Sequence, residues 1–136
     1  MELKRDKEQA LCALENDLLW LLERTPADGY RWMSTKRDLV EMTHEVWLRN
    51  VVFDSMGRVK PFIHLLRQVC RIVGVDMPKK PTAMLDSIAH RKDQEHFSIV
   101  NRYVQILRSI QRLDGGNSRP IMRFLTTEAD TYRMVA

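Results

Sequence analysis

The chain is poor in the residues that most metal and small-molecule chemistry requires. It has two cysteines, Cys12 and Cys70, and no C-x2-C pair. That excludes a disulfide framework and a cysteine-based zinc site as organising elements. Each cysteine falls on an apolar helical stripe and reads as a core thiol. The four histidines, His44, His64, His90 and His96, are scattered. His44-Glu45 has no second histidine at helical spacing, so the H-E-x-x-H zinc helix is absent. His64 and Cys70 do not share a helix face, and His90 and His96 flank an expected helix break. The five glycines form neither a dinucleotide fingerprint nor a phosphate loop. Gly115-Gly116 lacks a strand before it and a Lys-Ser or Lys-Thr after it. No context poises a serine or threonine as a nucleophile. The reading is a non-enzyme with no catalytic, cofactor or metal residue assigned, and no small-molecule substrate.

Long apolar runs are also missing. None approaches the roughly 20 residues of a membrane-spanning helix. The opening MELKRDKEQA is charged and has no apolar signal core, so the chain reads as cytoplasmic. The first helix is amphipathic, but Glu8, Glu15, Asp17 and Glu23 on it would be repelled by anionic lipid. No membrane partner is inferred.

What is present is helical periodicity. At 136 residues, with 44% hydrophobic and 29% charged residues, the chain suits one soluble domain with a core of its own. Leu11, Leu14, Leu18 and Leu21 predict an N-terminal amphipathic helix from Leu3 to about Arg24, within residues 1–25. TPADGYRW, with Pro26 and Gly29, reads as a connector. Thr35 can cap a helix that carries Leu39, Met42 and Val46 to about Arg49. Val51, Val52 and Phe53, before the turn Asp54-Ser55-Met56-Gly57, predict a short strand or extended arm near residues 50–60. Phe62, Leu65, Leu66, Val69, Cys70 and Val73 form the cleanest stripe, with Pro61 at its start and Gly74 at its end. Pro78 and Pro81 keep DMPKKP non-helical. Thr82 is placed as the cap of a short helix with Met84, Leu85 and Ile88, ending near Arg91. A last helix from about Gln94 to Leu113 has two apolar rows. Residues 113–136 have no strong period and read as a loosely docked tail. The fold class is all-α: a compact bundle of about five helices, with a helix-turn-helix-like pair and that short β arm.

Charge is unevenly distributed. Residues 1–30 hold 4 basic and 7 acidic side chains, whereas residues 58–112 hold 11 basic and 4 acidic ones, within a net charge of +4. A basic middle suits a polyanionic partner, and duplex DNA is the partner expected. The helices at 62–73 and 82–91, joined at Gly74, have the order of a helix-turn-helix, with Ala83, Asp86, Ser87, His90 and Arg91 facing outward. The loop from Val75 to Pro81 is longer than the usual turn of that motif. The candidate nucleic-acid contacts are Lys79 and Lys80 in the loop, Ser87, His90, Arg91 and Lys92 on and after the second helix, and Lys36 and Arg37 near Thr35. One such domain seldom binds tightly alone, so a homodimer through the N-terminal helix is expected. The alternative reading is a non-enzymatic interaction module, a dimerisation or adaptor bundle that does not bind nucleic acid.

Residues 31–110 also resemble the C-terminal region of RteC-type regulators of bacterial conjugative transposons. The matching positions are Trp32, Thr35, Lys36, Leu39, Glu41 and Met42. They continue through the turn at Phe53 to Gly57, the helix Phe62 to Val73, the short helix Met84 to Ile88, Arg91-Lys92, and Phe97 onward. Residues 31–112 are taken as the RteC-like core. Further basic residues follow Arg-Lys in that family, whereas here Asp93, Gln94 and Glu95 do. The resemblance implies a helical DNA-binding transcription regulator of mobile-element genes, with its helix-turn-helix in this region.

Overall fold

Ala10, Leu14, Leu18 and Leu21 recur every three or four positions and are fully buried. They are the inner edge of helix α1, Glu2–Leu22. The computed structural model describes residues 2–90, 98–115 and 118–127. Among these are four further α-helices: α2 (Lys36–Trp47), α3 (Phe62–Val73), α4 (Pro81–Ala89) and α5 (Ile99–Asp114). Two three-residue strands, β1 (Tyr30–Trp32) and β2 (Leu125–Thr127), accompany them. The architecture is the helical bundle that the periodicity predicts. No helix among the described residues is long and apolar enough to cross a membrane.

α1 packs on α5, α2 and α3, and on the 3-10 turn Pro120–Arg123. Its apolar stripe is therefore occupied within the chain rather than left open to a second copy. Ala10 holds the inner place expected of Leu11, which is half-buried. Cys12, expected in the core, is exposed beside Glu8 and Arg49, whereas Cys70 is buried. Both are free thiols.

α2 is the hub. It touches α1, α3, α4 and α5, and buries Leu39, Val40, Met42 and Val46. Thr35 caps it, its hydroxyl accepting from the Asp38 N–H at 3.1 Å. α3 ends at Gly74, in the left-handed conformation at φ 72°. A Cβ there would come within 2.9 Å of the Arg31 side chain. Pro81 is the first residue of α4, where a missing N–H costs nothing. Thr82 thus lies inside the helix and does not cap it. α3 and α4 each rest on α2, and seven residues, Gly74 to Lys80, carry the chain between them. This differs from a reader hairpin, in which the second helix packs mainly on the first.

The arm near residues 50–60 is an antiparallel hairpin with a bridge between Phe53 and Val59. α5 is capped by the Ser98 hydroxyl, which accepts from the Asn101 N–H at 3.1 Å, so this helix begins at Ile99. The proposed earlier start at Gln94, and Phe97, lie outside the described residues. So do residues 128–136.

The largest departure is at the C-terminal side. β1 pairs antiparallel with β2, setting Trp32 opposite Leu125. TPADGYRW is therefore partly strand, and residues 120–127 are not loosely docked. Ile121, Phe124 and Leu125 are buried, and the Phe124 ring stacks between Trp32 and Tyr103, with centroids 5.4 and 6.1 Å away. Asp17, on the buried face of α1, holds this segment. It accepts from the Tyr103 hydroxyl at 2.8 Å, the Ile121 N–H at 3.0 Å and Arg119 Nη1 at 3.4 Å. Burial pushes its carboxyl above the ordinary range, against these donors, which favour the charged form. Its contribution to stability therefore declines as pH rises through the folded value.

Removing the Asp17 acceptor strands a buried hydroxyl and a buried N–H. Asp17→Ala is expected to lower the unfolding free energy by about 2–4 kcal/mol in urea. Asp17→Asn, which keeps one acceptor oxygen in a site already unfavourable to charge, should lose clearly less. Equal losses from both would overturn this account.

Candidate nucleic-acid interface

Lys36 and Arg37 are the first two residues of α2, and both are exposed. Two anchors fix where they sit. The Trp32 Nε1–H donates to the Thr35 carbonyl at 2.8 Å, which ties β1 to the helix start. Arg102 of α5 grips both oxygens of Asp38, with Nη1 donating at 2.9 Å and Nη2 completing a two-pronged pair. Ser34 donates to the same carboxylate. Burial pushes the Asp38 carboxyl up, but Arg102 and Ser34 outweigh it and hold the group below the ordinary 3.8.

Ser87, fifty positions from Arg37, is its direct neighbour in space: Arg37 Nη2 donates to the Ser87 hydroxyl at 3.2 Å. α4 turns Met84, Leu85 and Ile88 inward and leaves Ala83, Asp86, Ser87 and His90 exposed, as the apolar spacing implies. His90 Nδ1 lies 2.8 Å from the Asp86 carbonyl, at the end of α4. A proton on Nδ1 would make that bond and leave Nε2 to solvent. Lys79 and Lys80 are exposed just before α4, behind the buried Pro78. Arg91 and Lys92 lie outside the described residues. The fold thus joins Arg37 to Ser87, with Lys36 next to Arg37 in the chain, places His90 at the end of α4, and sets Lys79 and Lys80 at its entrance.

Lys36 is also near the end of α3. Burial pushes the Cys70 thiol up to about 11, with the Lys36 charge opposing. Two other basic residues of the middle segment serve the scaffold: Arg102 holds Asp38, and Arg108 Nη2 reaches Asp6 of α1 at 2.6 Å. Sequence reasoning missed Arg102 because its partner is 64 positions away, and no local pattern marks such a pair.

A concavity of about 570 Å³ is lined by Lys7, Glu41, His44, Glu45, Leu85 and Ile88, among others. Burial lowers the His44 pKa. Burial, and then the charge of Glu41, raises that of Glu45. The His44 ring faces Trp47 and Phe62, with centroids 5.7 and 5.3 Å away. Among the described residues no group of three His, Cys, Asp or Glu side chains could hold a metal ion.

No family model, curated protein or solved structure matches the chain.

A carboxyl held below its ordinary value contributes stability at neutral pH that is lost as pH falls through the folded value. Asp38→Asn is expected to be less stable than the parent in urea near pH 7. The gap should narrow toward about pH 3, as the parent's own carboxylate protonates. A gap that is constant with pH would show that the Asp38–Arg102 pair has no such role.

Proposed function

We propose that the chain is a small helical DNA-binding protein. The observation that carries this is the position of its free basic residues. Lys36 and Arg37 begin α2, and Lys79 and Lys80 stand at the entrance to α4. A helix N-terminus is the positive end of the helix dipole, so cations there are unfavourable by a few tenths of a kcal/mol. Helix stability does not account for two such pairs. A phosphate backbone would reverse the sign of that cost, and the Arg37–Ser87 bond joins the two helices at whose starts the pairs stand.

In this reading Lys36, Arg37, Lys79 and Lys80 hold phosphates and set affinity. Ser87 and His90 on the exposed side of α4 face the base edges. Arg91 and Lys92 belong to the same set by sequence. The RteC-like pattern from Trp32 onward supports a regulator of mobile-element genes as the biological role. A homodimer would supply the affinity that one domain lacks. With the α1 stripe buried, it would have to form through the outer face of that helix.

The protein is expected to retard duplex DNA in a gel at about 50 mM salt. The double variant Lys36→Ala/Arg37→Ala, and separately Lys79→Ala/Lys80→Ala, should weaken binding across sequences. Each should also flatten the plot of log K against log salt by about one unit per phosphate contact removed. No retardation of any duplex at that salt would leave the interaction-module reading in its place.

A further inference from the structure

Between Leu48 and Val59 the chain exposes four large apolar side chains. Leu48, Phe53, Met56 and Val59 are 54, 55, 73 and 40% exposed. They do not lie on a loose loop. Asp54 Oδ1 accepts from the N–H groups of Met56 at 2.8 Å and Arg58 at 3.0 Å. The Asp54 N–H donates to the Arg58 carbonyl at 2.8 Å, and Gly57 takes the left-handed conformation at φ 81° that the turn needs. Below the turn, the bridge sets Phe53 opposite Val59. At the base, the Lys60 N–H donates to Val52 at 2.9 Å, and the Trp47 Nε1–H donates to the Lys60 carbonyl at 3.0 Å. An ordered hairpin thus carries Met56 at its tip.

The charge in the surrounding sequence is mostly of one sign. From Val46 to Val75 the basic residues are Arg49, Arg58, Lys60, Arg67 and Arg71, and the acidic one is Asp54. One Asp54 oxygen is turned onto the two N–H groups of its own turn. Arg49 is held by Glu15 and Glu8, and Lys60 donates to Gln68. Arg58, Arg67 and Arg71 are exposed. An apolar tip with the exposed Arg58 two residues from Met56, and its one acid turned onto its own backbone, fits an anionic partner with an apolar interior. It fits a second copy of itself poorly, because a two-fold contact through the tip would set Arg58 against its own image.

α2 links the arm to the candidate interface, with Lys36 and Arg37 at its start and the arm after its end. His44 lines one concavity with Leu85 of α4, and its ring meets Phe62 just past the arm. The twelve residues of α2 span about 18 Å, which separates Lys36 and Arg37 from the arm. Half a turn of duplex, about 17 Å, separates a major-groove contact from the neighbouring minor groove. Building on the DNA-binding reading above, we infer that the 51–60 arm is a second nucleic-acid contact, in which Met56 wedges into the minor groove and Arg58 sits on the flanking phosphate. Methionine is unbranched and adaptable, which suits insertion between base steps, and such wedges kink the duplex.

The test uses the full chain and a mixed-sequence duplex of about 25 base pairs with a fluorophore at each end. Bound wild-type protein should raise end-to-end energy transfer. Met56→Ser should bind about tenfold more weakly and leave the bound duplex close to straight, and Met56→Leu should restore both. Arg37→Ala should weaken binding while its complex stays bent. Met56 is exposed, so unchanged thermal melting of its variants is expected alongside. DNA bound by wild type without bending, or bent equally by Met56→Ser, overturns the wedge and leaves the α2–α4 interface standing. No DNA binding by wild type overturns both. Loss, in Met56→Ser, of sedimentation with phosphatidylserine vesicles or of a dimer mass, while DNA binding is unaffected, assigns the arm to a membrane or a second copy and overturns the inference.

Discussion

The carboxylate of Asp17 is the joint on which the rest of the fold depends. A buried acidic group is costly unless it is hydrogen-bonded, and here each donor comes from another segment. Tyr103 ties α1 to α5, and the Ile121 N–H and Arg119 tie α1 to the C-terminal segment. With that segment held, β2 can pair with β1, and Phe124 can lie between Trp32 and Tyr103. Trp32 in turn bonds the Thr35 carbonyl at the start of α2. A polar contact deep in the bundle therefore reaches the exposed Lys36 and Arg37 through a short line of packed groups.

Electrostatics divides the basic residues into two sets. The acidic groups of α1 take Arg49, Arg108 and Arg119 through Glu8, Glu15, Asp6 and Asp17, and Asp38 takes Arg102. The more exposed of these pairs, such as Arg49 with Glu8, add little stability. Their effect is to remove charge from some faces and leave it on others. Lys36, Arg37, Lys79 and Lys80 remain exposed beside helix N-termini, Arg58 on the hairpin and Arg67 on α3. A net charge of +4 says little about this, because it sums both sets.

Much of the scaffold was legible because its signals are local. The α3 stripe, the Thr35 cap, the left-handed Gly74 and the inward row of α4 each follow from residues within a turn or two of one another. The arm was legible too, since Asp54 to Gly57 has the turn chemistry it needs. Two readings failed where the deciding partner is distant. Cys12 is on an apolar stripe in sequence, yet the helix turns it toward Arg49. Residues 120–127 have no period, because a three-residue strand and a 3-10 turn are too short to show one. The loop length warned against a standard reader, and α3 and α4 do meet on α2 instead.

By itself, then, the sequence determined the helical content, most helix ends and the outward side of α4, because these follow from spacing along one element. Tertiary structure alone decided that Arg37 meets Ser87, that Arg102 holds Asp38, and that Asp17 anchors the C-terminal segment. Those contacts join residues 50, 64 and 104 positions apart. No periodicity spans such distances. Only the packing of α4 and α5 on α2, and of α1 on the final segment, brings the partners into reach.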